Sequence, residues 1–397
     1  MSGGLSALRL DRMHKVLAGH IERGYAPGLA TLVSRRGEVH VDTIGSKAFG
    51  GTDPIRRDTI FRIASLTKPL AAAAAMILVE ECALRLDEPV DRLLPELADR
   101  RVLRSLESPV DDTVPANRPI TIRDLLTFRS GLGTIFGPPE RYPIVRDIVD
   151  KDIAGFRPGV AGRLSQDWLD AVGTLPLIHQ PGEGWTYNVS ATLLGILIAR
   201  AAGTSLEAVL RERLFEPLGM KDTSFSVPTE KLDRLATAYG GPPDAEPSVI
   251  DDTATLGKPP VLADAGGGLV STLDDYHAFG QMMANHGRCP SGRLLSRPSV
   301  QLMTTDQLTD SQKANAVFVP GWWESHGWGF GLSIATKRTD LAGGPGRFGW
   351  DGGSGTSWYY DPVEELTGIL LTQRQTFPPR SPVWQDFWTS AYAAIDD

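Results

Sequence analysis

The chain has 397 residues, 41% hydrophobic and 22% charged, a make-up that suits a soluble globular protein with one large domain or two interlocked ones. A formal net charge of −8 offers no basic face to nucleic acid or to an anionic lipid surface, so neither is expected as a partner. Two cysteines, Cys82 and Cys289, are too few for a disulfide framework, the longest apolar run (70–79) is too short to span a bilayer, and residues 1–10 lack the pattern of a secretory signal, so a cytoplasmic location is expected.

Residues 10–23 carry Met13, Val16, Leu17 and Ile21 at helical spacing and predict an amphipathic helix ended by Gly24 and Pro27. Two β-rich runs, 29–34 and 39–44, are joined by Arg35-Arg-Gly-Glu38, a hairpin pattern. Next comes Ser65-Leu-Thr-Lys68, followed by Pro69 and an Ala-rich apolar run to Val79. Proline is tolerated in a helix only within its first turn, so this helix is expected to begin at about Ser65. A hydroxyl and an amine three residues apart then share one helical face, near enough to hydrogen-bond. Serine alone is a weak nucleophile, but an amine kept unprotonated by burial can take its proton. The same position puts the hydroxyl at the positive end of a helix dipole, beside N–H groups without intrahelical partners, where an oxyanion is stabilised. Alone, the tetrapeptide is common by chance and also reads as a helix cap with a solvated lysine. Cys82 falls in the apolar stretch 76–84 and is expected to be buried.

Residues 120–127 open a further helix, stopped at Gly131-Leu-Gly133. Residues 134–165 read as a long loop with broken helices, 166–175 and 191–202 as helices, and 236–264 as a loop marked by Pro242, Pro243, Pro247, Pro259 and Pro260. Gly266-Gly-Gly268 leads into a helix over 273–285. Three strand-like runs follow, 328–336, 357–360 and 366–372, with Asp361-Pro362 turning between the last two. Residues 384–395 close the chain as a helix, with Phe387, Ala391 and Ala394 spaced to pack on a sheet. Strands at both ends and helices between imply an α/β protein of α+β type, whose antiparallel sheet is built from both termini. Residues 1–64 and 266–397 would form that sheet domain, 65–265 an inserted helical domain, and the cleft between them the site.

Other motifs carry less. Gly344-Pro-Gly-Arg-Phe-Gly349 satisfies a dinucleotide-binding pattern, but no helix pattern follows it. There is no Gly-x-Ser-x-Gly elbow, and the seven histidines show no metal-binding spacing. His179 reads as a surface residue, and Trp322, Trp323 and Trp328 as core or cleft wall.

Phe61–Lys68, Leu125-Leu-Thr-Phe-Arg-Ser-Gly-Leu-Gly133, Pro181-Gly-Glu-Gly-Trp-Thr-Tyr-Asn188 and Gly266-Gly-Gly-Leu-Val-Ser-Thr272 occur in an order that resembles the serine β-lactamase and penicillin-recognising hydrolase superfamily, in particular the family VIII carboxylesterases. The resemblance implies a β-lactamase/transpeptidase-like fold with Ser65 as nucleophile, Lys68 beside it, and Tyr187 over both from the helical domain. A phenol near a cation can be held partly as phenolate and exchange protons with Ser65. Asn188 follows Tyr187 directly, and Val189 stands where the family pattern has asparagine. Where β-lactamases carry Lys-Thr-Gly, this chain has Trp350-Asp-Gly-Gly353, so Trp350 replaces a cation that binds substrate carboxylates. The resemblance places Trp350, Asn188 and Gly352 beside the substrate, and the N–H groups of Ser65 and Gly353 as the oxyanion hole.

The function so implied is a serine hydrolase that cleaves a small-molecule ester or amide through an acyl-enzyme, with no metal or organic cofactor. Lys68 and Tyr187 both stand as candidate bases. β-Lactamase or D-Ala peptidase activity, acyl transfer to an acceptor other than water, and non-catalytic binding are the alternatives.

Overall fold

The computed structural model describes residues 3–154, 164–241, 246–250, 253–375 and 381–397. Its centre is a seven-stranded sheet of β1 (Gly28–Arg35), β2 (Glu38–Gly45), β3 (His326–Trp328), β4 (Ser333–Ala335), β5 (Phe348–Gly352), β6 (Thr356–Asp361) and β7 (Leu366–Thr372). The order is β3-β4-β5-β6-β7-β1-β2, every pairing is antiparallel, and β1 lies against β7 from Leu29↔Thr372 to Arg35↔Leu366. One sheet thus joins the two ends of the sequence, as the distribution of strand-like runs implied. The β1–β2 hairpin turns through Arg36 and Gly37, both at positive φ, the geometry that suits the twist of the strands it joins.

Both faces of the central strands are covered, which is why β1 and β7 read as nearly continuous apolar runs. Leu29, Val33, Leu366 and Leu370 point to one side, against α1 (Ala7–Glu22) and the C-terminal helix Pro382–Ala393. Met13 and Leu17 from α1, and Phe387 and Ala391 from the C-terminal helix, fill that layer. Ala30, Leu32, Ile369 and Leu371 face the opposite layer, where α2 (Thr67–Glu80), α3 (Val189–Ala202) and α4 (Leu273–Ala284) contribute to one large core. With the C-terminal helix as α5, three of these five are apolar enough on all sides that most of their residues are buried: α2, α3 and α4. Among the described residues no single helix is long and apolar enough to cross a membrane.

Some local expectations need correction. Residues 328–336 form not one strand but part of a hairpin, β3 and β4, because Gly331 takes φ +68° and turns the chain. Phe348–Gly352, absent from the expected strand-like runs, forms the strand β5. The helix containing Lys68 ends at Glu80, so Cys82 lies beyond it, at φ +59° and exposed instead of buried. The helix Ile144–Asp150 agrees with the broken helices expected over 134–165, of which residues 155–163 lie outside the described residues, as do Pro242 and Pro243 of the second loop.

Phe387 is fully buried between α5 and the sheet. Phe387→Ala is expected to cost about 3–5 kcal/mol, read as a lowered denaturation midpoint, because the cavity left behind cannot fully collapse.

Candidate active site

Ser65 lies in a 3₁₀ turn, Ala64–Leu66, that runs directly into α2. The residue before it, Ala64, is held at φ +44°, a conformation that costs an alanine on the order of 1–3 kcal/mol and persists only where the surroundings impose it. Those surroundings are visible. Ser354 Oγ donates to the carbonyl of Arg62 at 2.5 Å, and Thr356 Oγ1 to that of Ile63 at 3.1 Å. Thr67 Oγ1 donates to the Ala64 carbonyl at 2.7 Å, and Tyr276 OH to that of Leu66 at 2.8 Å. The carbonyls around the serine are therefore fastened to the sheet and to α4.

Lys68, one turn on, is 1% exposed, and its Nζ lies 2.8 Å from Ser65 Oγ. The amine also donates to the carbonyl of Gly266 and sits 4.8 Å above the ring centre of Tyr187. Burial pushes Lys68 down from 10.5 to about 7, opposed by the charge of Asp264. An amine with that affinity for protons is available as a base near neutrality.

Tyr187 reaches the same oxygen from the opposite side, its OH donating to Ser65 Oγ at 2.9 Å. It is placed by an unusual turn. Asn188 adopts φ +77°, ψ −63°, and the Val189 N–H donates to the Tyr187 carbonyl at 3.2 Å, a γ-turn of the rare, strained kind. The helix α3 starts immediately after it. Trp350, on β5, donates from Nε1 to the Tyr187 oxygen at 2.9 Å. Burial raises the Tyr187 phenol above its ordinary value; the bonds with Ser65 and Trp350 lower it by less, and Asp351 adds to the rise. The partial phenolate character that the sequence allowed is thus disfavoured, since the group on the sheet side of the phenol is a neutral indole and not a second ammonium.

With Lys68 neutral, the four groups form one directed series. Trp350 N–H donates to the Tyr187 oxygen, Tyr187 O–H to Ser65 Oγ, and Ser65 O–H to the lone pair of Lys68. Each bond polarises the next, and all push the serine proton toward the amine.

These groups open on a cavity of about 760 Å³. Phe136, Phe318, Pro320 and Trp322 wall one end, and Ile250, Leu256 and Val270 the other. The charged residues on its surface are Arg62, Asp264 and Asp351. Gly353 lines it too, with open space where a side chain would be. Among the described residues, neither the N–H of Ser65 nor that of Gly353 donates to another protein group. Asn188 lines the cavity, but its Nδ2 donates to the Ala154 carbonyl at 2.9 Å. Gly352, expected beside substrate, does not line it. A Cβ there would lie 2.4 Å from the Ile63 carbonyl oxygen, so Gly352 is the point where β5 presses against the chain leading to Ser65. His179, half-buried, lies outside the cavity, and burial lowers it to about 4. Of the three clustered tryptophans, Trp322 is on the cavity wall and Trp328 is fully buried. Among the described residues no group of three or more His, Cys, Asp or Glu side chains is placed to hold a metal ion.

The sequence reading missed Ser354, Thr356 and Tyr276, which hold the serine turn, and Asp264 with the Gly266 carbonyl, which hold the amine. Their trace in the sequence is only a polar residue inside an apolar or glycine-rich run.

The sequence profile of the family described as Beta-lactamase matches residues 13–392. An uncharacterized protein of Mycobacterium tuberculosis is 38% identical over 376 residues, covering 92% of this chain and 90% of its own. Esterase EstB of Burkholderia gladioli is 31% identical over 378 residues, covering 87% and 85%. Among solved structures, that of EstCE1, described as a hydrolase with promiscuous acyltransferase activity, superposes with a TM-score of 0.79 at 23% identity, over 97% of this chain and 99% of that one.

Burial of Lys68 has a cost in stability. Its folded-state affinity for protons is depressed, so the penalty is full at and below about pH 7 and fades as the pH rises toward 10.5, where the unfolded chain also loses the proton. Lys68→Met is therefore expected to be inactive yet more stable, by several kcal/mol at neutral pH, with the gain shrinking toward pH 10.5 in denaturant titrations.

Proposed function

This chain belongs to the beta-lactamase family, and from that premise we propose that it hydrolyses small carboxylic esters through an acyl-enzyme on Ser65. The observation that carries the reading is the line of hydrogen-bonded groups from Trp350 through Tyr187 and Ser65 to the Lys68 amine, at the wall of a largely apolar cavity. Ser65 Oγ attacks the ester carbonyl while its proton passes to Lys68. The N–H groups of Ser65 and Gly353 receive the oxyanion. As the tetrahedral intermediate collapses, the ester C–O bond breaks, and the alcohol leaves with the proton that Lys68 took, relayed by Tyr187. Tyr187 acts as a protonated relay. Water then attacks the acyl-enzyme, again giving its proton to the Lys68 amine, and the acid departs as Ser65 regains its hydrogen.

Neutral esters are favoured over β-lactams and D-Ala peptides, both of which present a carboxylate. The strand position that would supply a cation holds Trp350, and of the three charged residues on the wall two are acidic. The relative EstB is named an esterase, in keeping with this choice. Both cysteines are free thiols, which supports a reducing compartment such as the cytoplasm.

Ser65→Ala is expected to lower hydrolysis of p-nitrophenyl acetate or butyrate by about three orders of magnitude or more. Intact-mass measurement of the parent should show the acyl adduct, and nitrocefin should turn over more slowly than the esters. An alanine variant that kept its rate would refute the assignment. Because the base must be unprotonated, kcat/KM should rise with pH to a limb near 7 and level off above it.

A further inference from the structure

Lys68 owes its position to a carbonyl, and that carbonyl owes its position to a carboxylate. Asp264 Oδ1 accepts from the Gly266 N–H at 2.7 Å and from Thr192 Oγ1, on α3, at 2.8 Å. The Asp264 carbonyl in turn accepts from Gly267 N–H at 3.2 Å and Gly268 N–H at 2.9 Å. Closed from both sides, this turn presents the Gly266 oxygen to the Lys68 amine. Thr192 belongs to the helix that begins just after Tyr187, so one side chain ties the phenol's helix to the amine's partner.

We propose that Asp264 is a positioning residue of this site, holding the Gly266 carbonyl against Lys68 and supplying the negative charge that stabilises its ammonium. The inference rests on Lys68 acting as the base. The groups packed on that amine are few. Ser65 comes from its own element, Tyr187 from the turn before α3, and Gly266 from the Asp264 turn. The β3–β4 hairpin meets this lysine only at its backbone, where Gly331 packs against the Lys68 carbonyl. Tyr187 is titratable and protonated, so Asp264 brings the charge. Full burial without a counter-charge drives a lysine so low that it becomes a feeble acceptor, whereas a salt bridge in direct contact would keep it protonated. A carboxylate one residue removed, acting through a carbonyl, lies between these limits. When Ser65 gives up its proton, the ammonium that forms is met by an oxygen and a charge already in place.

The test is the pH dependence of kcat/KM for p-nitrophenyl butyrate in the parent and in Asp264→Asn, which keeps an oxygen for the Gly266 N–H and loses the charge. The acid limb should move down by roughly one pH unit or more in the variant, with a lower plateau rate from a weaker base. Asp264→Ser, whose hydroxyl can still close the turn, should shift the limb the same way and serves if the asparagine variant fails to reach the parent's circular dichroism and melting curve. Asp264→Glu, which restores the charge, should keep the limb where the parent has it. A limb that stays put or rises in the folded neutral variants, or one that falls in the glutamate variant as well, would overturn the proposal. A parent limb far from neutrality would instead count against Lys68 as the base, so the two failures are separable.

Discussion

The rest of this structure depends on the withdrawal of one amine from water. A lysine at the surface holds its proton too firmly to accept another from a serine, and no arrangement of neighbours changes that while solvent surrounds it. Lys68 is enclosed by α2, the aromatic ring of Tyr187 and the glycine turn at Gly266, and the cost of that enclosure is a charge the folded protein would otherwise carry comfortably. The same desolvation lowers the amine's affinity for protons and costs the fold part of its stability.

Trp350 shows how a change at one strand position alters the whole site. An ammonium there would lower the phenol's hold on its proton and attract anionic substrates. The indole does neither, yet it keeps the geometric function, since its N–H still orients the Tyr187 oxygen. Burial strengthens the phenol's hold on its proton, and the cavity it faces is lined largely by apolar groups. Trp328 and Trp322, each in edge-to-face contact with Trp350 at 4.6 and 5.8 Å, hold the indole in the orientation this requires.

Two strained turns flank the candidate site. Ala64 before the serine and Asn188 after the tyrosine both adopt backbone conformations that ordinary residues avoid. Each is offset by bonds from distant elements: hydroxyls of β6 and the turn before it at one, the helix α3 and the Ala154 carbonyl at the other. Gly352 permits a close approach, letting β5 lie against the Ile63 carbonyl, and Gly353 after it lines the same cavity as Ser65. The sheet is thus the frame that gives two strained turns their relative position.

Local sequence determined much of this. Proline at the start of an Ala-rich run marked the helix of Lys68 and the turn of Ser65 before it, because a ring without an N–H fits only the first turn; β-rich runs and turn residues marked β1, β2, β6 and β7; and an excess of strands at the two ends implied a sheet shared between them. The serine, the lysine and the tyrosine could each be named, as their motifs are contiguous. What no local pattern carries is decided by packing. Cys82 is exposed because a helix stopped two residues before it, and the run 328–336 folded back on a glycine. Gly352 turned out to press on the backbone, away from the cavity. Asp264, invisible among loop residues, acquires its role only when Thr192 and Gly266 are brought to it. Side-chain chemistry is written residue by residue, but burial, and with it which group holds a proton, is a property of everything folded around that residue.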